Sequence, residues 1–440
     1  MACLSLMKKL RKMTNENRFG RQGCPVRCGV LLWLAAFLLL ASVPANAQQA
    51  LRSSLAGEEA ARARKATENI PYNLKMGALR LRFSAHTDVE YNDNINVAPS
   101  TNAISDVIIR PGVSMDTVWP VTPQNTLNFN LGVGYQIYVN RPDNNTLSIS
   151  PGSTVSFDVF VGDFRINLHD RFSYHQNPLQ QGAITGTNEN AASYGTAQNY
   201  VGVGVDWDLN KLTVSFGYDY SLNFSTSEAY SYQNQSSHYG YLRGAVLVQP
   251  GVSTGLETTF GISTYEQQVL NNNQQFSAGP FVNWQVSQHL QASLRGGYVN
   301  YTFDQTGAIT NAASGSSGYA NLTLDHMLNQ YVRHSMGAGY NLSSGVNSDL
   351  ITTFFVRYSA SLMVFRLSTI NLDTFYEHAS ESGASLPDEY TRFGFNIGLG
   401  YPITAHLNTS LRYGFTTKDS MLPAGDYTQN AISLSLAYRF

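Results

Sequence analysis

Charged residues are scarce in this chain of 440 residues, at 13% of the total, against the ~25% that is usual for soluble domains. Long apolar runs are scarce too, because only residues 29–42 form one, and the mean hydropathy is −0.20. A bundle of transmembrane helices needs ~20 apolar residues for each span, so that class is excluded. The formal net charge is −2, and the lack of a basic excess argues against a nucleic-acid partner.

Aromatic residues, by contrast, are abundant, at 12% of the chain, with 26 Tyr and 22 Phe. Their number argues against intrinsic disorder, which requires few aromatic residues. Low charge, many aromatic, Gly and Asn residues and no spanning helix are together typical of a β-barrel of an outer membrane.

Residues 1–47 have the three parts of a secretory signal peptide. Basic residues come first, the apolar run 29–42 follows, and Ala45-Asn46-Ala47 fits the small-residue cleavage pattern. We therefore expect cleavage near Ala47 and a mature chain that begins at Gln48. The basic residues are Lys8, Lys9, Arg11, Lys12, Arg18, Arg21 and Arg27.

All three cysteines of the chain, Cys3, Cys24 and Cys28, lie in this predicted signal peptide. The mature chain is therefore expected to have no disulfide and no cysteine-ligated metal. Residues 48–76, which are Ala-rich and charged, predict a short periplasmic segment before the barrel.

From residue 77 to residue 440 the hydrophobic pattern has a period of two, which predicts β-strands. In residues 212–224, Leu, Val, Phe and Tyr alternate with Thr, Ser, Gly, Asp and Asn. A run of this length exceeds the ~5–6 residues of a typical globular strand and suits a tilted membrane strand. The small polar residues of the alternate set indicate a wet lumen and not a packed core.

This pattern predicts an all-β fold, a single antiparallel transmembrane barrel of 16–18 strands with a polar lumen. Its links alternate between short and long, as in barrels with short periplasmic turns and longer external loops. The chain is therefore expected in the outer membrane of a Gram-negative bacterium, in contact with lipid. The eighteen predicted strands are 78–93, 104–119, 125–140, 145–160, 163–176, 197–208, 211–225, 236–248, 251–266, 274–286, 289–303, 317–327, 330–343, 348–362, 366–379, 389–401, 405–418 and 427–440.

Aromatic residues mark the strand ends. Trp119, Trp207 and Trp284 each come just before a short link, which predicts an aromatic girdle at the periplasmic interface. The last strand ends in Tyr438 and the terminal Phe440 on its apolar face. A C-terminal aromatic of this kind resembles the signal that the outer-membrane barrel-insertion machinery reads, so we expect that machinery to be a partner.

Four residues fit the pattern less well. Pro111, Pro151 and Pro280 fall inside predicted strands, and because proline removes a ladder donor we expect β-bulges there. Asp170 falls on the apolar face of its strand, where a bulge or an early strand end would relieve it.

A short motif resembles a known family. The first predicted strand ends with Tyr91, Asp93 and Asn94, and the second carries Asp106 and then Pro111-Gly112. This arrangement resembles the putative beta-barrel porin 2 family. The resemblance implies an outer-membrane component of exopolysaccharide secretion, working with a periplasmic polysaccharide-export protein. It implies no catalytic site, and we expect Asp93 and Asn94 to make hydrogen bonds at a loop base.

Charged side chains of the polar face are the candidate pore-lining residues. Arginine prevails over lysine in residues 77–440, and its planar guanidinium can bind carboxylates or stack on aromatic rings. The alternative is that these arginines pair with neighbouring acids and only stiffen the wall. The candidates are Arg80, Arg82, Arg110, Arg165, Arg171, Arg295, Arg357, Arg392, Arg412, Arg439, Asp88, Glu90, Asp219 and Glu257, with Asp106 and Asp116 also inward.

No catalytic constellation stands out in the sequence, so we expect no enzyme, no cofactor and no metal. The sequences YEHAS, with His378 and Ser380, and VRHSM, with His334 and Ser335, each contain a His–Ser pair. A barrel phospholipase would need such a pair with a third orienting side chain at the membrane face.

Three functions remain open. The first is a channel for polysaccharide secretion, which rests on the family resemblance and the inward arginines. The second is a general diffusion porin for small hydrophilic solutes, and the third is a structural barrel without an open pore. A trimeric assembly would favour the porin.

Overall fold

The computed structural model describes residues 72–122, 125–176, 195–308, 314–365, 367–422 and 424–440. The predicted signal peptide, most of the predicted periplasmic segment and residues 177–194 lie outside this part of the chain, so those predictions stay predictions. None of the helices in the described ranges is both long and apolar enough to cross a membrane.

Twenty strands form one antiparallel sheet. They are β1 (Leu74–Met76), β2 (Leu79–Asn92), β3 (Asp106–Pro120), β4 (Asn125–Tyr138), β5 (Thr146–Ile149), β6 (Thr154–Val161), β7 (Phe164–Gln176), β8 (Gly195–Leu209), β9 (Leu212–Ser225), β10 (Gln235–Gln249), β11 (Val252–Tyr265), β12 (Asn273–Gln285), β13 (Leu290–Phe303), β14 (Ser314–Met327), β15 (Val332–Ser343), β16 (Leu350–Val364), β17 (Ser368–Ser382), β18 (Glu389–Pro402), β19 (Leu407–Ser420) and β20 (Tyr427–Arg439). Within the described residues, two short 3-10 helices, Pro142–Asn144 and Glu228–Gln233, lie in long links.

The sheet closes on itself, because β2 pairs with β20 from Ser84↔Arg439 to Asn92↔Ala431. β5 and β6 are two halves of one wall strand, and β1 only extends the sheet next to β2, so the wall has eighteen strands. The predicted fold and strand count are confirmed, and each predicted segment overlaps one wall strand.

The two faces of the wall differ as the alternation predicts. On the outer face large apolar side chains are exposed, for instance Leu256 at 68% and Leu294 at 53%. On the inner face polar side chains are buried, for instance Asp219 at 0% and Ser277 at 2%. An outer surface of this kind is stable in hydrocarbon and not in water.

Glycines on the inner face let large side chains lie across neighbouring strands. A Cβ atom on Gly112 would come within 2.6 Å of the His86 ring, and one on Gly217 within 2.5 Å of the Tyr241 ring. Because glycine has no Cβ, the His86 and Tyr241 rings can pack over these positions. The glycines that alternate with apolar residues therefore allow close packing on the lumen side of the wall.

The expected bulge is present at Pro151 and not at the other two prolines. Residues 150–153 separate β5 from β6, and the pairing with β4 shifts from Val133↔Ile149 to Asn130↔Thr154. At Pro111 and Pro280 the register stays the same on both sides of the proline, so the expectation of bulges there is wrong. The backbone hydrogen-bond ladder between the strands omits the pairs at the prolines, which have no N–H to donate, and resumes in the same register.

Asp170 lies on the outer face of β7, which continues regularly to Gln176, so neither a bulge nor an early strand end relieves it. Its carboxylate accepts a hydrogen bond of 2.6 Å from the side-chain amide of Asn199 on β8. The chain therefore places a hydrogen-bonded carboxylate in the middle of an apolar outer face.

The three tryptophans lie near strand ends beside short links, as predicted. Trp119 and Trp284 are 44% and 49% exposed, and Trp207 stacks on Phe164 with 5.3 Å between ring centroids. All long links leave the opposite end of the wall. We call that end the mouth and the end with the short turns the periplasmic end.

Candidate functional site

Six arginines of the inner face form a ring around the lumen. They occupy every third wall strand, and the strand registers place them in one band around the middle of the wall. We call this set the arginine ring. Its members are Arg110 on β3, Arg171 on β7, Arg243 on β10, Arg295 on β13, Arg357 on β16 and Arg412 on β19.

The ring contains one residue that the sequence did not single out. Arg243 lies on the inner face of β10, opposite Glu257, with its guanidinium 4.0 Å from the centroid of the Phe281 ring. The alternation is weak in β10, where Gly240 and Gly244 stand on the outer face, so parity was hard to read there. The other five arginines of the ring recur on every third wall strand, and that spacing predicts an inward arginine on β10.

Two ring members pair with acids. The Nη1 atom of Arg110 lies 2.9 Å from Oε2 of Glu90, and the Nη1 atom of Arg295 lies 3.6 Å from Oε2 of Glu257. These contacts match the alternative in which inward arginines stiffen the wall.

Three other ring members stack on aromatic rings. Arg171 lies 4.7 Å from the ring centroid of Tyr200, Arg357 lies 4.7 Å from that of Phe355, and Arg243 stacks as described. An aromatic face holds a guanidinium in place without cancelling its charge. Arg412, the sixth member, is exposed on the inner face of β19.

The remaining candidate lining residues are divided between the ends and the middle of the wall. Arg80 and Arg439 are exposed near the periplasmic end, where Arg82 lies 3.9 Å from Asp116 and Arg165 lies 3.3 Å from Asp158. Farther up, Asp88 is half-buried opposite Arg110, and the fully buried Asp219 lies 2.6 Å from Nε2 of His169.

Three long links meet over the lumen, and we call their meeting point the mouth junction. The hydroxyl of Tyr232, in the link between β9 and β10, donates a hydrogen bond of 2.6 Å to Oδ1 of Asn347, between β15 and β16. Val97, from the link between β2 and β3, packs with Tyr230 and with Tyr427 of β20. Contacts between strands so far apart around the wall require the links to fold across the opening.

The link 344–349 folds into the barrel. Its Val346 is buried with Ile351, Ala379 and Tyr390, which lie on the inner faces of β16, β17 and β18. Its Asp349 accepts a hydrogen bond of 2.9 Å from Asn271, in the link between β11 and β12. This link therefore occupies part of the barrel opening at the level of Val346 and Asp349.

A buried charge cluster lies beneath the mouth junction. Arg392 and Glu377 are 5% and 3% exposed, with 2.6 Å between Nη2 and Oε2. Lys418, 2% exposed, lies 3.1 Å from Asp388 and 4.2 Å from the ring centroid of Tyr390. Arg392 points inward as predicted, but it is buried in an ion pair and does not line an open lumen.

The motif that resembles the porin family has a structural role at the seam of the barrel. Both carboxylate oxygens of Asp93 accept hydrogen bonds of 2.7 Å from Asn430 on β20. The side chain of Asn94 bonds the backbone of Ala98 and of Thr428. The loop-base hydrogen bonds that the sequence predicts are present, and they join the first and last wall strands.

The other motif residues are structural as well. Asp106 is 1% exposed and accepts hydrogen bonds from the backbone N–H and the side chain of Asn140. Pro111 and Tyr91 lie exposed on the outer face, and Gly112 lies under His86.

Two groups in the mouth links have shifted pKa values. Burial raises the pKa of the Tyr232 hydroxyl, so it remains a donor to Asn347 at neutral pH. Burial acts to raise the pKa of Asp304, but hydrogen bonds from Thr306 and Asn272 outweigh it and lower that pKa. Asp304 is therefore ionised, and as a carboxylate it accepts the hydrogen bonds that fix the link after β13.

The His–Ser pairs do not form catalytic geometry. His378 and Ser380 share the outer face of β17, but the ring nitrogens of His378 approach Thr391 at 3.4 Å and Glu389 at 3.6 Å. In the described residues no hydrogen bond joins His378 to Ser380, and His334 and Ser335 point to opposite faces of β15. Within the same residues, no group of three or more His, Cys, Asp or Glu side chains could hold a metal ion.

Comparisons with known proteins give structural likeness without sequence support. No protein-family model matches the chain, and no curated protein matches it by sequence, so the resemblance to the putative beta-barrel porin 2 family is not confirmed. Similar solved structures include Pseudomonas aeruginosa OccK5 (OpdH), at 12% identity and TM-score 0.45, covering 82% of this chain and 98% of that one. Others are P. aeruginosa OccK2 (OpdF) in complex with glucuronate, at 10% identity, TM-score 0.48 and coverage of 82% and 98%, and Acinetobacter baumannii OccAB3, at 10%, 0.47, 82% and 99%.

Proposed function

We propose that the chain is an outer-membrane channel through which small hydrophilic solutes diffuse. The outer face supports the location, because its exposed apolar side chains suit lipid and its polar groups are few. Most wall strands have 12 to 15 residues, enough to cross a bilayer when tilted.

One observation carries the proposal: part of the inner face is open to solvent. His86, Thr323, Ser359 and Asp373 are exposed on the inner faces of β2, β14, β16 and β17, together with Arg412 on β19. His86 lies midway along β2, and Thr323, Ser359 and Asp373 lie four or five residues from the periplasmic ends of their strands, so the open part of the inner face extends from the middle of the wall toward that end. A barrel of eighteen strands with such a wall holds water.

The mouth junction limits what passes. Tyr232, Asn347 and Val346 meet over the lumen, so a solute passes beside or between these links. A polymer in transit would need a continuous bore, which the links interrupt. The geometry therefore favours small solutes over the polysaccharide that the family resemblance implies.

Single-channel recording of the purified barrel in planar bilayers tests the proposal. We expect discrete conductance steps, and a larger step when residues 345–348 are shortened, because that link fills the mouth. A variant with an equal deletion in the exposed periplasmic turn 403–406 serves as the control and should conduct as the natural chain does. A folded barrel with no conductance in either the natural or the shortened form would instead identify a structural barrel.

A further inference from the structure

Two parts of the lumen wall differ in their inner side chains. On β9 to β13 several inner side chains are tightly buried, with Asp219 and Val299 at 0%, Phe281 at 1% and Gln275 at 3%. On β18 to β20, between the buried charge cluster and the periplasmic end, they are small and partly exposed. This second group, which we call the smooth wall, comprises Asn396, Gly398, Gly400, Ser410, Gly414, Ala431, Ser433, Ser435 and Ala437.

Arg412 is the long side chain at the middle of the smooth wall. Its neighbours across the ladders are Gly398 on β18 and Ser433 on β20, neither of which carries a charge. Among the described residues no ion pair or aromatic contact of Arg412 is found, and the side chain is exposed. The other ring members are held by acids or by aromatic rings.

The consequence is electrostatic. The charges of Arg110 and Arg295 are balanced by carboxylates at 2.9 Å and 3.6 Å. Those of Arg171, Arg243 and Arg357 are held half-buried against aromatic rings, whereas that of Arg412 is exposed to water. A guanidinium in this position offers planar donors to a passing carboxylate or other oxyanion. Because Arg412 is hydrated and acts alone, it should bind an anion weakly and release it again, which passage through a channel requires.

We propose that Arg412 determines the selectivity of the channel for anions over cations, and that small anionic solutes pass along the smooth wall. This inference rests on the proposed channel function and names the solute class of the same lumen.

The test is the reversal potential across planar bilayers under a KCl gradient near 0.1 M. We expect Arg412→Gln to lower the chloride-to-potassium permeability ratio by about threefold, the effect of one unit charge ~5 Å from an ion in water after partial screening. Arg412→Lys should stay near the natural ratio, because it keeps the charge. In 1 M KCl, where the screening length is ~3 Å, the shift should nearly vanish.

The matched control is the double variant Arg295→Gln/Glu257→Gln, which removes another ring arginine together with its acid. It should leave the ratio unchanged, because that pair carries no net charge. An unchanged ratio in Arg412→Gln, or an equal shift in the double variant, would overturn the inference.

A second measurement does not depend on conduction. Phenylglyoxal modifies accessible arginines, and mass spectrometry of the folded barrel in detergent should show Arg412 reacting faster than Arg295. Glutarate at millimolar concentration should slow that reaction. An Arg412 that is unreactive, or is not protected by glutarate, contradicts the inference, whereas a barrel that never conducts contradicts the proposed function.

Discussion

Removing one member of the buried pair between Arg392 and Glu377 should strongly destabilise the barrel. Both side chains are almost fully buried, the charged atoms are 2.6 Å apart, and the hydroxyl of Tyr390 lies 3.5 Å from the same carboxylate. In Arg392→Met the carboxylate of Glu377 stays buried without its main partner.

The magnitude follows from burial. Breaking a buried ion pair by removing one partner typically costs ~3–5 kcal/mol, because the other charge stays out of water. Replacing both partners with apolar residues of similar size is often close to neutral. We therefore expect Arg392→Met to lower the free energy of unfolding by ~3 kcal/mol or more, and the double variant Arg392→Met/Glu377→Leu to recover most of that loss.

Urea unfolding of the folded barrel in lipid vesicles, followed by tryptophan fluorescence, measures these differences. Trp119, Trp207 and Trp284 are reporters distant from the pair in sequence. Arg412→Met, which removes an exposed arginine, is the control and should change the free energy by less than ~0.5 kcal/mol. A loss below ~1 kcal/mol in Arg392→Met, or a double variant no more stable than the single one, would refute the reasoning.

Four further outcomes are expected. Tyr232→Phe removes one hydrogen bond of the mouth junction, worth ~1 kcal/mol, so the ratio of open to closed time in single-channel records should rise about fivefold. An unchanged ratio would show that this hydrogen bond of the mouth junction does not restrict the opening. Asp170→Val should stabilise the barrel in vesicles by ~1–2 kcal/mol, because a carboxylate in mid-membrane costs more than its one hydrogen bond returns, and a less stable variant would show that protein covers this site. Phe440→Lys should reduce the amount of folded barrel in outer-membrane fractions, seen as the heat-modifiable band in gel electrophoresis. A normal band would show that the terminal aromatic residue is not needed for assembly. An epitope inserted within 180–195 should be labelled on intact cells and one within 209–211 should not, and the reverse pattern would invert the topology.

Much of the fold was readable in the sequence because each wall strand has one apolar and one polar face. That difference imposes a period of two, which is why the predicted strand 211–225 agrees with β9 to within one residue. The position of the tryptophans beside the short turns and the loop-base hydrogen bonds of Asp93 and Asn94 followed from equally local signals.

The bulges and the state of each arginine could not be read in this way. Proline removes one donor wherever it stands, but whether the ladder skips that position, as at Pro111, or breaks, as at Pro151, depends on the partner strands. Likewise parity places Arg392 and Arg412 on the same face, and only burial distinguishes an ion-paired side chain from an exposed one.

The alternation of the sequence by itself indicated a barrel, a wall of 16 to 18 strands and which face of each strand points outward. The tertiary structure decided which lumen charges are accessible and how the links narrow the mouth. Tyr232 and Asn347 are 115 residues apart, in links without periodicity, and they meet only because the closed wall brings the links to one opening. A contact of that kind leaves no local pattern, since its free energy depends on the ring of strands that holds both partners.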